Sequence, residues 1–307
     1  MEPTNPMKSP LYLVDASIYV FRAWHSMPPD MTDAQGWPVH AVHGFARFLL
    51  ELLERERPQH IAIAFDEALD SCFRHRLYPA YKANRDPAPE ELRRQFAHCK
   101  ALCAALGLRV LAHHDYEADD LIGSALLQGR QAGLRGLILS ADKDLSQLLV
   151  DQDQQWDMPR QQRWGVDEVK ARYGVHAHQI ADYLALCGDA VDNIPGVSGV
   201  GAKTAAILLA HFGSLDTLLE RLDEVAFLRL RGAAAVAARL REQHQQALLF
   251  RQLTTVACDA PVPAAADLQR APADGQMLDG LTQHLRMGPM TRRRLFAAAG
   301  LALPESN

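Results

Sequence analysis

"LYLVD", residues 11–15, is a short apolar run closed by an aspartate, and "IAIAFD" (61–66) and "LILSAD" (137–142) follow the same pattern. Continuous apolar runs separated by helical stretches are the mark of strands covered on both faces of a parallel sheet. "LRVLAH" (108–113) is a fourth candidate strand, and "EADDLIGSALLQGRQAG" (117–133) reads as the amphipathic helix after it. The expectation is an α/β fold, a mostly parallel central sheet flanked by helices. In such open sheets ligands collect outside the carboxyl ends of the strands. That rule puts Asp15, Asp66 and Asp142 at one edge, with Glu117, Asp119 and Asp120 just past the fourth strand.

The helices between these runs are legible too. "VHGFARFLLELLERERP" (42–58) carries Phe45, Phe48, Leu49 and Leu52 on one stripe and stops at Pro58. "PEELRRQFAHCKALCAALG" (89–107) starts at a proline, holds Glu90 and Glu91 in its first turn, and ends at Gly107. Between about 160 and 180 the strand–helix rhythm gives way to helix after helix. We expect an α/β domain over 1–170 and a helical domain over 171–290, with 291–307 as a tail. The Pro/Ala-rich stretch 261–273 reads as a linker or a covering strap.

The totals bound the function. In 307 residues, 48% are hydrophobic and 22% charged, an ordinary globular composition. The opening "MEPTNPMKSP" lacks a cationic segment followed by an apolar core, and no stretch approaches the roughly 20 apolar residues that cross a bilayer. The expectation is a cytoplasmic monomer with no membrane partner. The five cysteines, Cys72, Cys99, Cys103, Cys187 and Cys258, include no C-x-x-C pair, so buried reduced thiols are expected rather than zinc ligands. A net charge of −5 argues at first against a phosphate-rich partner. If nine acids form a metal cluster, the remaining protein carries +4, which suits a basic track around an acidic pit.

Those nine are Asp15, Asp66, Glu117, Asp119, Asp120, Asp142, Asp144, Asp189 and Asp192. Singly, each has a bland explanation, because aspartate at a strand end is often a helix cap and first-turn acids complement the helix dipole. Gathered at one sheet edge they repel, by roughly 4 kcal/mol for a pair about 4 Å apart at an effective dielectric of 20, and must protonate or bind cations. Oxygen-only ligation points to Mg2+ or Mn2+, and two such ions serve phosphodiester hydrolysis.

"GDAVDNIPGVSGVGAKTA" (188–205) joins two of these aspartates to a glycine-bearing turn between helices. Glycines allow close approach to a phosphate, and the N–H groups opening the next helix bind an anion without reading sequence. Gly196, Gly199, Gly201, Lys203 and Thr204 are the expected DNA contacts there, with a plain helix–helix turn as the alternative. Residues 74–94 hold Arg74, Arg76, Lys82, Arg85, Arg93 and Arg94 against three acids, with Tyr78 and Tyr81 interleaved. Cations alternating with aromatics suit a single strand. Substrate contact is expected of Tyr81, Lys82 and Arg85, and a solvated face of Arg93 and Arg94.

"LYLVDASIYVFRAWH", "FRHRLYPAYKANRDPAPEELRRQ", "YEADDLIG", "SADKDLSQLL", "GDAVDNIPGVSGVGAKTA" and "HQQALLFRQLTTV" together resemble the bacterial and phage 5' nucleases, over residues 11 to about 256. These are the flap endonucleases and the 5'-3' exonuclease domain of DNA polymerase I. The resemblance implies a PIN-like catalytic domain with a helical arch near 74–98. It also implies a helix-three-turn-helix module near 188–213 on DNA that carries a 5' flap, a nick or a 5' end. It assigns Asp15, Asp66, Glu117, Asp119 and Asp120 mainly to a first metal and Asp144, Asp189 and Asp192 to a second, with Asp142 near both. Lys82 and Arg85 match arch residues at the scissile phosphate, Tyr81 their aromatic neighbour, and Arg22 a basic residue near the active site. A K+ ion held by the hairpin carbonyls, at Val197 and Val200, is implied as well. Ala16, His40 and Ala88 depart from the family pattern without removing a metal ligand. With no polymerase region in its 307 residues, the chain resembles a free-standing nuclease.

Other classes remain. A dehalogenase-type phosphatase wants an aspartate two residues after the first, and position 17 is serine. A catalytically weak structure-specific DNA-binding protein and an RNA-directed nuclease of related fold stay as alternatives.

Overall fold

Each of the three aspartate-terminated runs is a strand in the computed structural model, which describes residues 8–67 and 72–304. In chain order the elements are β1 (Pro10–Asp15), α1 (Ala16–Ser26), α2 (His40–Glu56), β2 (His60–Ala64), α3 (Phe73–Leu77), α4 (Glu90–Ala105), β3 (Arg109–Leu111), α5 (Ala118–Gln131) and β4 (Arg135–Leu139). There follow β5 (Gln154–Asp157), β6 (Gln162–Trp164), α6 (Val166–Tyr173), α7 (Ile180–Cys187), α8 (Ala202–Phe212), α9 (Leu215–Glu220), α10 (Leu222–Val225), α11 (Ala233–Glu242), α12 (His244–Thr254), α13 (Gly275–His284) and α14 (Pro289–Ala298).

The chain folds into two units, and their boundaries differ from the single change expected near residue 170. The first comprises Met1–Glu67, Pro87–Ser140 and Cys258–Asn307; the second comprises Ala68–Asp86 and Ala141–Ala257. A boundary read from element type misses this, because the chain leaves the first unit twice and returns to it after α12.

In the first unit four parallel strands lie in the order β3-β2-β1-β4. Leu11, Leu13, Val14, Ile61, Ile63, Ile138 and Leu139 are fully buried, which is why these runs are apolar on both faces. The register pairs Asp15 with Ala64 and Val14 with Leu139, so β1, β2 and β4 end level and deliver their following residues to one edge. On α2, Phe45, Leu49 and Leu52 are buried as the stripe predicts, and Arg57 ends the helix in the left-handed conformation just before Pro58. Cys99 and Cys103 are buried in the core of α4, and burial pushes both thiols up, as structural cysteines require.

The Pro/Ala-rich stretch is a strap. Arg270 donates its N–H to Gln59 O (2.8 Å), Ala271 donates to Gly107 O (2.9 Å), and Leu268 is fully buried. The expected tail is instead largely α14, whose Leu295 and Phe296 are buried and whose Arg294 pairs with Glu54 at 2.7 Å.

The second unit is helical from α6 to α12 and also holds the antiparallel pair β5–β6, which had no apolar run to announce it. Trp156 and Trp164 are buried there, with Arg163 stacked over Trp156 at 3.8 Å. Among the described residues no helix is long and apolar enough to cross a membrane.

Candidate metal and nucleic-acid site

The acids fall into two sets, one in each unit. In the first unit, Asp15 closes β1 and is 5% exposed. It occupies the N-cap position of α1 without capping it, and accepts a hydrogen bond from Ser140 Oγ at 3.0 Å. The capping explanation therefore fails for Asp15. Asp66, two residues past β2, accepts the Ala118 N–H at 2.8 Å, which ties the end of β2 to the start of α5. Glu117 and Asp120 form a reciprocal capping box on α5, with Asp120 Oδ2 taking the Glu117 N–H at 3.1 Å. Asp120 is fully buried and Asp119 half-buried. These hydrogen bonds draw the ends of β1, β2 and β4 and the start of α5 together along the carboxyl edge.

In the second unit, Asp142, Asp189 and Asp192 all act electrostatically on Asp144. Asp142 Oδ1 accepts the Asp144 N–H at 2.9 Å, and Gln155 donates its amide to Asp142 O at 2.5 Å. Ser146 bonds Gln155 (2.7 Å) and accepts from Trp164 Nε1 (3.2 Å), so the β5–β6 pair braces the loop that carries two of the acids. Asp189 is 7% exposed, and its backbone pairs with Ile194 in both directions. That closes the turn that presents Asp192. Burial pushes the Asp144 carboxyl up to about 7, helped by Asp142, Asp189 and Asp192 and opposed by Lys143.

Lys143 stands among these carboxylates. Its Nζ lies 2.6 Å from Asp189 Oδ2 and 3.4 Å from Asp144 Oδ1, the latter a charge contact without hydrogen-bond geometry. Burial raises the cost of charge on both Lys143 and Asp189, yet their mutual pairing prevails. Lys143 is held above the usual lysine range and Asp189 below the usual carboxylate range.

Asp192 is gripped by residues 81–85. Tyr81 donates its hydroxyl to Oδ2 at 3.0 Å, Arg85 pairs with Oδ1 at 2.7 Å, and Lys82 Nζ is 3.8 Å away. Asn84 and Asn193 reach across in opposite directions, to Ala190 O (3.0 Å) and Ala80 O (2.6 Å). Tyr81, of which substrate contact is expected, is 2% exposed and in this conformation offers no open face for a base. Lys82 takes φ +54°, a left-handed backbone that a long side chain rarely adopts. Arg74 is likewise internal, bonded to Leu253 O and Thr255 O.

The glycine turn lies between α7 and α8. Gly196 (φ +69°) and Gly199 (φ +75°) need left-handed backbone, and a Cβ on Gly196 would strike the Gly188 backbone. Gly201 is the N-cap of α8, Lys203 is exposed and Thr204 half-buried. Val197 O accepts the Val200 N–H at 2.9 Å, and both side chains are buried. Arg22, on α1, is exposed. Reading the sequence missed Lys143, Gln155, Ser140 and Asn193. The one local signal was Lys143, a cation inside "ADKD".

The first unit presents acids at the carboxyl edge of a parallel sheet, and the second is a helical array that carries a glycine turn. The model of the 5'-3' exonuclease N-terminal resolvase-like domain matches residues 10–174, and that of the 5'-3' exonuclease C-terminal SAM fold matches 175–276. The chain belongs to the 5'-3' exonuclease family. It is 41% identical over 261 residues to DNA polymerase I of Pseudomonas aeruginosa, which covers 85% of this chain and 28% of that protein. It is 37% identical over 291 residues to DNA polymerase I of Rhizobium leguminosarum, covering 92% and 28%. The chain thus spans less than a third of the length of these two relatives. Among solved structures, the T5 D15 protein co-crystallised with metal ions superposes with a TM-score of 0.66 at 19% identity, covering 94% of this chain and 99% of that one. The catalytic core of Rad2 in complex with DNA substrate superposes at 0.61 and 15% identity, covering 95% and 93%.

Proposed function

We propose that the chain is a divalent-metal-dependent 5'-3' exonuclease and structure-specific 5'-flap endonuclease, hydrolysing DNA phosphodiester bonds with two ions, magnesium or manganese. The observation that carries this reading is the crowding of Asp142, Asp144, Asp189 and Asp192 around protein cations, with the Lys143 ammonium already seated between Asp144 and Asp189. A group of carboxylates that holds a lysine ammonium this closely is built for positive charge. Its all-oxygen donors suit magnesium or manganese. Asp142, Asp144, Asp189 and Asp192 would hold one ion; Asp15, Asp66, Glu117, Asp119 and Asp120 would hold the other. Two such ions, when bound, acidify a water and steady the departing oxygen.

The chain's own residues do the remaining work. Lys82 and Arg85, released from Asp192, would turn their charge to the scissile phosphate, with Arg22 adding a cation near the active site. The first N–H groups of α8, next to Gly196, Gly199 and Gly201, would hold the DNA backbone with Lys203 and Thr204. The carbonyls of Val197 and Val200 would face a K+ ion. Binding through backbone phosphates recognises a flap, nick or 5' end by shape.

The test is a labelled 5'-flap duplex incubated with the protein and Mg2+, with an EDTA control and an RNA flap in parallel. Asp142→Asn keeps the acceptor for the Asp144 N–H while removing the charge. It should cut cleavage by at least roughly 100-fold and leave DNA affinity within a few-fold. Metal-independent cleavage, or full activity of the variant, would refute the reading. Binding without cleavage by the unaltered protein would favour the DNA-binding alternative.

A further inference from the structure

We propose that Asp33, His98 and His284 form a binding site for one zinc-class transition-metal ion, made of none of the nine acids, that clips together the three chain segments of the first unit. The ligand atoms of these residues all lie within 4.8 Å of one another. One comes from each segment: Asp33 from Met1–Glu67, His98 from Pro87–Ser140 and His284 from Cys258–Asn307. Their positions follow from the fold. Asp33 lies in the loop between α1 and α2, His98 on α4, and His284 is the last residue of α13.

The Asp33 carboxylate is only half used. It is fully buried, and its Oδ1 accepts the N–H groups of Gln35 (2.8 Å) and Trp37 (2.9 Å). Its Oδ2 is buried without a hydrogen bond and lies 3.6 Å from His284 Nε2. That distance is too long for a hydrogen bond, so a simple Asp–His pair leaves a buried anionic oxygen unsatisfied, which is costly. It does match a shared metal: zinc bonds of about 2.0–2.1 Å in a tetrahedron put ligand atoms roughly 3.4 Å apart. The backbone is already fixed around the pair, with Asp33 N–H on Trp37 O (2.8 Å) and Ala34 N–H on His284 O (2.9 Å). The His98 and His284 rings stand 5.3 Å apart and tilted by 49°.

Burial, the His284 ring and the Arg94 guanidinium hold His98 below the usual histidine range despite Asp33. Burial pushes Asp33 up, but the Trp37 and Gln35 N–H groups and the two histidines outweigh it and keep the carboxyl ionised. Arg94, stacked over Trp37 at 4.2 Å, is the opposing positive charge nearby. Two imidazoles and a carboxylate suit Zn2+, Co2+ or Ni2+ and disfavour Mg2+. The His284 side chain is about one-third exposed, which leaves a side open for a water as fourth ligand. Because the ion binds only the assembled unit, it stabilises the fold by mass action.

The experiment uses the full chain, stripped with EDTA, desalted and kept in excess Mg2+ to occupy oxygen sites. Titrated Co2+ should bind at one equivalent with the intense visible d–d absorption of four-coordinate cobalt, which six-coordinate all-oxygen cobalt lacks. Zn2+ should displace it and raise Tm by roughly 5 °C when in large excess over its Kd. His284→Gln, and independently His98→Gln, should abolish both signals while circular dichroism shows a folded protein. Asp142→Asn should keep them. His113, His114 and Asp115, a consecutive and more exposed trio, supply the control His113→Gln, which should also keep them. No such absorption from the unaltered protein, its survival in either His98→Gln or His284→Gln, or its loss in Asp142→Asn or His113→Gln would each overturn the proposal.

Discussion

Tyr81→Phe removes one hydroxyl from a buried contact and leaves the ring in place. The hydroxyl donates to Asp192 Oδ2 at 3.0 Å, while the ring packs edge-on against His75 at 5.5 Å and under the Lys82 ammonium at 4.9 Å. A hydrogen bond to an ionised acceptor contributes about 1.5–3 kcal/mol. Arg85 and Lys82 still face the same carboxylate in the variant, so Asp192 is not left unsatisfied and the lower figure applies. About 1.5 kcal/mol less stability in the closed 81–85 segment means roughly tenfold more frequent opening. Amide hydrogen exchange reads this directly. The Lys82 N–H bonds Asp192 O (3.0 Å) and the Arg85 N–H bonds Lys82 O (3.0 Å). Both should exchange about ten times faster in the variant, with the amides of α8 unchanged. Equal rates at Lys82 and Arg85 would refute the argument that Tyr81 is the buried anchor of this segment.

Lys143→Met should lower the Tm of the EDTA-treated protein by several degrees, because it strips Asp189 of its 2.6 Å partner, and excess Mg2+ should restore most of the loss. Asp144 titrates near 7 in the metal-free fold against 3.8 unfolded, so the fold binds its proton more tightly than the unfolded chain does. Its contribution is full below about pH 4 and is lost as pH rises through about 7, by up to about 4 kcal/mol. His40 and His98, both held low by burial, act with the opposite sign below pH 6.5. The signal is therefore the difference between Asp144→Asn and the unaltered protein in urea melts at pH 5 and pH 8 in EDTA. Gly196→Ala, at φ +69° and against the Gly188 backbone, should cost about 2–3 kcal/mol by the same melts.

The strands of the first unit are legible because they are buried on both faces, which forces an unbroken apolar run such as "LYLVD" and fixes where it ends. The pair β5–β6 is not, because "QQWD" and "QRW" bury chiefly their tryptophans and look like loop. Yet Gln155 of that pair holds the Asp142 carbonyl, so part of the site's scaffold was invisible with it. Asp15, Asp66 and Asp142 could be found from their positions after the apolar runs, whereas the partners of the acids could not. Ser140 meets Asp15 from 125 residues away, and Asn193 meets Ala80 from 113. The expected tail at 291–307 failed for a related reason. A ten-residue helix that buries one Leu-Phe pair after three arginines carries too little periodicity to be seen.

The second-unit carboxylates are occupied in a way that ties metal binding to the segment 81–85. Asp189 is held by Lys143, and Asp192 by Tyr81, Lys82 and Arg85. A divalent ion on Asp192 and the Arg85 guanidinium compete for the same oxygen, and two like charges beside it repel. Linkage makes the competition reciprocal: whatever loads the carboxylate loosens the segment, and whatever draws the segment away improves the carboxylate as a ligand. A nucleic-acid phosphate is a natural agent of the second kind, because it offers Lys82 and Arg85 an alternative anion. If the proposed function holds, metal and DNA should therefore bind this unit with positive cooperativity. Arg85→Ala should tighten metal binding in the absence of DNA and weaken the enhancement that DNA gives, a pair of opposite changes that calorimetric titration of Ca2+ with and without a flap duplex would measure. If Arg85→Ala left both affinities unchanged, Asp192 would not be the point of exchange.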